Sequence, residues 1–111
     1  MAGRGGARLV IPALCVAEVA YLLGRRRGPT VEARFLRGLA GFDVELPHAE
    51  DWTRIAELVE RYADLSLGAA DASVVALAER HGTDLLLTLD RRHFSVIQPR
   101  HCQHFRLSPE S

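Results

Sequence analysis

The apolar positions divide the chain into short continuous runs and longer periodic stretches. "RLVI" (8–11) is a short β-like run, and Pro12 after it suits the first turn of a helix predicted over about Pro12–Leu23, with Gly24 as its stop. "RRRGP" reads as a solvated connector. Val31, Phe35 and Leu39 stand four apart and predict a second helix over about Thr30–Leu39. "FDVEL" (42–46) alternates apolar and acidic residues, the pattern of a half-exposed edge strand. A third helix, His48–Ala63, carries a predicted buried stripe of Trp52, Ile55, Val59 and Tyr62. After the loop "DLSLG" a fourth helix spans Ala69–His81, stopped by Gly82. "DLLLTL" (84–89) is a near-continuous apolar run, as expected for a strand buried on both faces of a parallel sheet. "DRRHF" is a turn or short helical piece, "SVIQP" a short strand, and "FRLSP" a last edge strand or a tail.

This order, β-α-α-β-α-α-β-turn-β, predicts an α/β domain of three layers, a mostly parallel sheet flanked by helices. Its length of 111 residues suits one domain. The expected division is a flexible N-terminus over 1–7, a domain over 8–107 and a tail over 108–111. Sites in such sheets gather beyond the carboxyl ends of the strands.

Composition excludes more than it assigns. Hydrophobic residues make up 48%, enough for a core, and 14 basic residues balance 14 acidic ones, so no global field draws the chain to nucleic acid or membrane. Every basic residue other than histidine is arginine, a choice that suits phosphate binding but also follows coding bias. Cys15 and Cys102 form no disulfide framework, Cys15 reads as a small core residue, and a reducing cytoplasmic compartment fits. The run Leu9–Leu23 is too short to span a bilayer, and Glu18 in its middle with no cleavage site after it argues against a secretion signal.

Glu18 is the one charge in fifteen otherwise uncharged residues, where a buried, unpaired carboxylate would cost several kcal/mol. Asp71 falls in the first turn of the fourth helix, where the macrodipole favours negative charge. Asp90 directly follows the apolar strand, at its carboxyl end. Each has an ordinary reading: Glu18 on a wet helix edge, Asp71 as a first-turn stabiliser, Asp90 as a turn or N-cap residue. The chemical reading is that the three converge at one rim of the sheet, where carboxylates repel unless a cation neutralises them. Hard oxygen donors select Mg²⁺ or Mn²⁺. Arg91 and Arg92 beside Asp90 are candidates for contact with RNA phosphate, whereas Arg25–Arg27 read as a solvated run.

The segments "VIPALCVAEVAYLL", "LSLGAADASVVALAERHG" and "LLLTLDRRHFSVI", in this order, resemble a VapC-type PIN domain, the ribonuclease toxin of bacterial toxin–antitoxin pairs. The likeness covers residues 8–107. It implies a Mg²⁺- or Mn²⁺-dependent endoribonuclease that hydrolyses RNA, with Glu18, Asp71 and Asp90 as three of a quartet of metal-binding, catalytic acids. It assigns Thr88 a supporting role beside them, through water. It also implies a VapB-like antitoxin as partner, docking on the helix pair of residues 12–39, and a homodimer.

In one respect the chain departs from the family pattern. The family opens with a central strand carrying an Asp-Thr-Ser-like triplet and the fourth acid, and no Asp or Glu precedes Glu18 here. The expectation is a domain lacking that first strand, through a start codon set too far downstream or through shortening. Loss of an interior strand would unpair its neighbours and weaken metal binding. The alternative function is therefore a non-catalytic PIN-domain remnant that keeps antitoxin or partner binding. A phosphoryl-transfer receiver would need an acid pair after its first strand, which "RLVIP" does not offer. His93, His101, Cys102 and His104 sit close in sequence, but "HCQH" is not a usual zinc spacing.

Overall fold

The computed structural model describes residues 9–88 and 91–109, and of Arg91 and Arg92 the backbone alone. The described chain is α/β, as the element order implies, and divides into two compact units, one ending at Leu46 and one beginning at Pro47. The expected N-terminal segment 1–7 lies outside the described residues.

The first unit is a β-α-α-β run. Strand β1 (Val10–Pro12) leads into helix α1 (Ala13–Arg27), α2 (Pro29–Gly38), a short 3-10 turn (Leu39–Gly41) and strand β2 (Asp43–Glu45). The strands pair in parallel, Val10 opposite Asp43 and Pro12 opposite Glu45. Pro12 closes the strand and caps α1 instead of lying in its first turn. The helix also runs through Gly24 and takes in Arg25–Arg27, so the arginines are its last turn and not a connector. They complement the negative end of the macrodipole there.

The stop is Gly28. Its φ of 88° and ψ of 172° belong to a region open essentially only to glycine, and its N–H bonds the Gly24 carbonyl at 3.1 Å. Pro29 then opens α2 with its φ already set. Gly24 instead serves close packing, since a Cβ there would run into the Glu32 carboxylate of α2. Val31, Phe35 and Leu39 of the second predicted helix are all half-buried.

The second unit holds α3 (Ala49–Arg61), a 3-10 turn (Ala63–Leu65), α4 (Ala69–His81), β3 (Leu85–Leu87), the short helix α5 (Arg91–Phe94) and β4 (Arg106–Ser108). Its core gathers Ile55 and Leu58 of α3, Val75 of α4, Leu86 of β3, Phe94 of α5 and Ile97. His48 caps α3: its backbone N–H donates to Asp51 Oδ2 at 2.8 Å.

Of the predicted stripe of α3, Ile55 is buried and Val59 and Tyr62 pack partly buried against the core, but Trp52 does not. Trp52 is 50% exposed, and the buried positions are Asp51, Arg54, Ile55 and Leu58. The reason is electrostatic. Arg54 donates to both carboxylate oxygens of Glu79 at 2.8 and 2.7 Å, and Arg80 donates to Asp51 at 2.8 Å. Two cross-helix ion pairs occupy places that an apolar pattern reserves for hydrocarbon.

Strands β3 and β4 pair in parallel, Leu86 opposite Leu107. Arg106 N–H donates to the Asp84 carbonyl at 2.7 Å, and Thr88 N–H to the Ser108 carbonyl at 2.8 Å. Strand β3 is not buried on both faces: Leu86 points into the core while Leu85 is 43% and Leu87 61% exposed. Successive side chains of a strand point to opposite faces, and only one face here is packed. The expected strand "SVIQP" does not form. Ser95 and Val96 turn directly after α5, Ile97 anchors the irregular segment in the core, and Arg106–Ser108 supplies the pairing strand.

Candidate acidic site

Asp71 sits in the first turn of α4 as the sequence predicts, two residues into a helix that follows Gly68 in extended conformation. Ala72 N–H closes the first turn on the Gly68 carbonyl at 3.0 Å, and Ser73 Oγ donates to the Ala70 carbonyl at 2.5 Å. Ala72 and Ser73 are fully buried, which fixes the helix start and leaves the Asp71 side chain 34% exposed at its edge.

The residue facing Asp71 is His93 of α5. Its Nδ1 lies 3.8 Å from Asp71 Oδ2, and its Nε2 lies 2.9 Å from the Leu65 carbonyl. A carbonyl oxygen only accepts, so Nε2 carries the hydrogen and Nδ1 is the nitrogen turned to the carboxylate. The ring is 15% exposed and its sequence neighbour Phe94 is buried, so the single turn of α5 is pinned by its apolar member.

This pairing is absent from the sequence reading, which grouped His93 with His101, Cys102 and His104. The structure separates them. His101 Nε2 donates to the Thr83 carbonyl at 2.7 Å, and Cys102 Sγ contacts the His104 carbonyl at 3.5 Å. Burial, with Asp84 and Glu79 nearby, pushes the Cys102 thiol up, away from a reactive thiolate. Cys15, expected in the core, is half-buried. What marks His93 in the sequence is its place in "RRHF", next to an apolar anchor and three residues after Asp90.

Glu18 is exposed on α1, flanked by exposed Ala17 and Val19, with Ala20 the buried residue of that helix. Its apolar sequence neighbours thus do not bury it, and its charge carries no desolvation cost to explain. Thr88 follows β3 directly and is half-buried. Asp90, and the side chains of Arg91 and Arg92, lie outside the described residues. Among the described residues no three His, Cys, Asp or Glu side chains stand close enough to form a metal cluster. The donors present at Asp71 are a carboxylate oxygen and an imidazole nitrogen, a chemistry that fits Mg²⁺ or Mn²⁺ through the oxygen.

A hollow of about 550 Å³ elsewhere in the second unit is lined by Arg54, Glu57, Arg61 and Arg100. Its charges largely satisfy one another: Arg100 pairs with Glu57 at 2.6 Å and Arg54 with Glu79 at 2.7 Å. No described helix is long and apolar enough to cross a membrane.

Residues 2–98 match the model of the PIN domain family. The chain is also 44% identical over 93 residues to Ribonuclease VapC26 of Mycobacterium tuberculosis (strain ATCC 25618 / H37Rv), covering 82% of this chain and 69% of that protein. An acid at the start of α4, parallel strand pairs joined through helices, and a match of this length agree, and the chain belongs to the PIN domain family, in its VapC type.

Proposed function

We propose that the chain is a metal-dependent endoribonuclease of the VapC type, the toxin of a toxin–antitoxin pair, hydrolysing phosphodiester bonds in RNA. The observation that carries the reading is the 44% identity to a ribonuclease across 82% of the chain. Glu18, Asp71 and Asp90 are the carboxylates that would hold Mg²⁺ or Mn²⁺. A divalent cation so held supplies Lewis acidity and a water of lowered pKa for attack at phosphorus.

The chain's own residues do the rest. Asp71 presents its carboxylate at the edge of a helix start that buried Ala72 and Ser73 hold rigid. Thr88 offers a hydroxyl two residues before Asp90. Arg91 and Arg92 would hold RNA by its phosphates, contacts that position a strand without reading its bases. A VapB-like antitoxin as partner, a homodimer and a cytoplasmic location complete the reading.

The test is cleavage of single-stranded RNA with Mn²⁺ or Mg²⁺ present. Wild-type protein is expected to cut, and Asp71→Asn, Glu18→Gln and Asp90→Asn each to lose at least about a hundredfold in rate, the scale of removing a group that stabilises transition-state charge. Undiminished cutting in all three variants would remove these carboxylates from the mechanism. A wild-type protein that never cuts, yet binds an antitoxin, would be the non-catalytic remnant.

A further inference from the structure

The pair Asp71–His93 is more specific than a helix-start carboxylate. The Leu65 carbonyl, 2.9 Å from Nε2, fixes which ring nitrogen bears hydrogen and turns Nδ1 toward Asp71 Oδ2. Histidines that ligate metals commonly donate their other ring N–H to a backbone carbonyl or carboxylate, which sets the tautomer and the ring plane. The 3.8 Å between Nδ1 and Oδ2 is long for a charge-assisted hydrogen bond, which closes at about 2.7–2.9 Å. It is close to the spacing of two atoms on one ion. With bonds of about 2.1 Å, ligands at right angles lie about 3.0 Å apart and tetrahedral ones about 3.4 Å. The octahedral geometry of Mg²⁺ and Mn²⁺ leaves about 0.8 Å to close, within reach of a rotation of the Asp71 side chain, which is 34% exposed.

We infer that His93 is a nitrogen ligand of the same divalent cation that Asp71 holds, so that the site favours Mn²⁺ over Mg²⁺. The inference rests on the metal-site reading of Asp71 above. Imidazole is an accepted ligand for transition metals, whereas Mg²⁺ is held by oxygen and dehydrates reluctantly. One nitrogen among oxygen donors therefore biases the choice without excluding Mg²⁺.

The experiment is pulsed electron paramagnetic resonance on full-length protein loaded with Mn²⁺, alongside Mn²⁺ and Mg²⁺ titration calorimetry. Wild-type protein is expected to show nitrogen-14 modulation from a directly bound imidazole. His93→Gln, checked by circular dichroism to be folded, is expected to lose that modulation. Its Mn²⁺ affinity should fall about tenfold or more, and its Mg²⁺ affinity by no more than about threefold. Bound Mn²⁺ without nitrogen-14 modulation in the wild type would overturn the inference whether or not the variant folds. So would modulation that survives in His93→Gln. The two readings fail separately. If Asp71→Asn weakens Mn²⁺ binding while the wild-type spectrum lacks nitrogen coupling, only the role of His93 falls. If Asp71→Asn binds Mn²⁺ as tightly as wild type, the metal reading of Asp71 falls with it.

Discussion

At the scale of single residues, the buried charges of the second unit are ion-paired. Burial pushes the Glu79 carboxyl up, but the two hydrogen bonds from Arg54 and one from the Arg100 backbone N–H outweigh it and hold it below its ordinary 4.5. Asp51 behaves alike: burial raises it, and the His48 N–H and Arg80 hold it below 3.8. Both groups therefore add stability that is fully present above those ordinary values and is lost as pH falls through the depressed ones. Thermal melts from pH 6 down to pH 2 are expected to show a steep acid limb, shallower in Glu79→Gln. Removing one partner of a buried pair strands the other, so Glu79→Ala should cost about 3 kcal/mol in urea unfolding at neutral pH. A loss under about 0.5 kcal/mol, the scale of a surface substitution, would show the pair to be ornamental. These residues explain a limit of the sequence reading. Asp71 was legible because a helix start is a local pattern. The buried Asp51 and Arg54 were not, because their partners Arg80 and Glu79 lie 29 and 25 residues away.

At the scale of elements, two glycines with different duties end and pack the first helix pair. Gly28 stands at φ 88°, where any side chain is strained, whereas Gly24 is helical and meets only the end of the flexible Glu32 side chain. Gly28→Ala should destabilise by about 1–3 kcal/mol. Gly24→Ala should come out near neutral, because the helix preference of alanine, about 1 kcal/mol, offsets the displacement of Glu32. Differential scanning calorimetry distinguishes them, and equal losses would contradict the assignment of the turn to Gly28. The sequence placed the helix stop at Gly24 because that glycine directly follows the apolar run, whereas Gly28 follows three arginines. What decides is Pro29, which can start a helix but not continue one. The expected strand at 95–99 failed for a related reason. Its apolar residues Val96 and Ile97 have the composition of a strand, but Ser95 and Val96 turn directly after α5, Ile97 is buried in irregular chain, and Arg106–Ser108 takes the place beside β3.

At the scale of the whole molecule, the class of fold was legible because alternating helices and apolar runs leave few α/β topologies. The pairing of β3 with β4 and the facing of Asp71 by His93 were not, since both are set by contacts across long stretches of chain. The proposal that belongs to this scale is that Glu18, Asp71 and Asp90 would hold a single cation. The direct test is titration calorimetry of Mn²⁺ into wild-type protein and into Glu18→Gln, Asp71→Asn and Asp90→Asn. Binding of one ion per chain, weakened about tenfold or more by each substitution, is the predicted result. Binding that ignores all three substitutions, or none in the wild type, would contradict it.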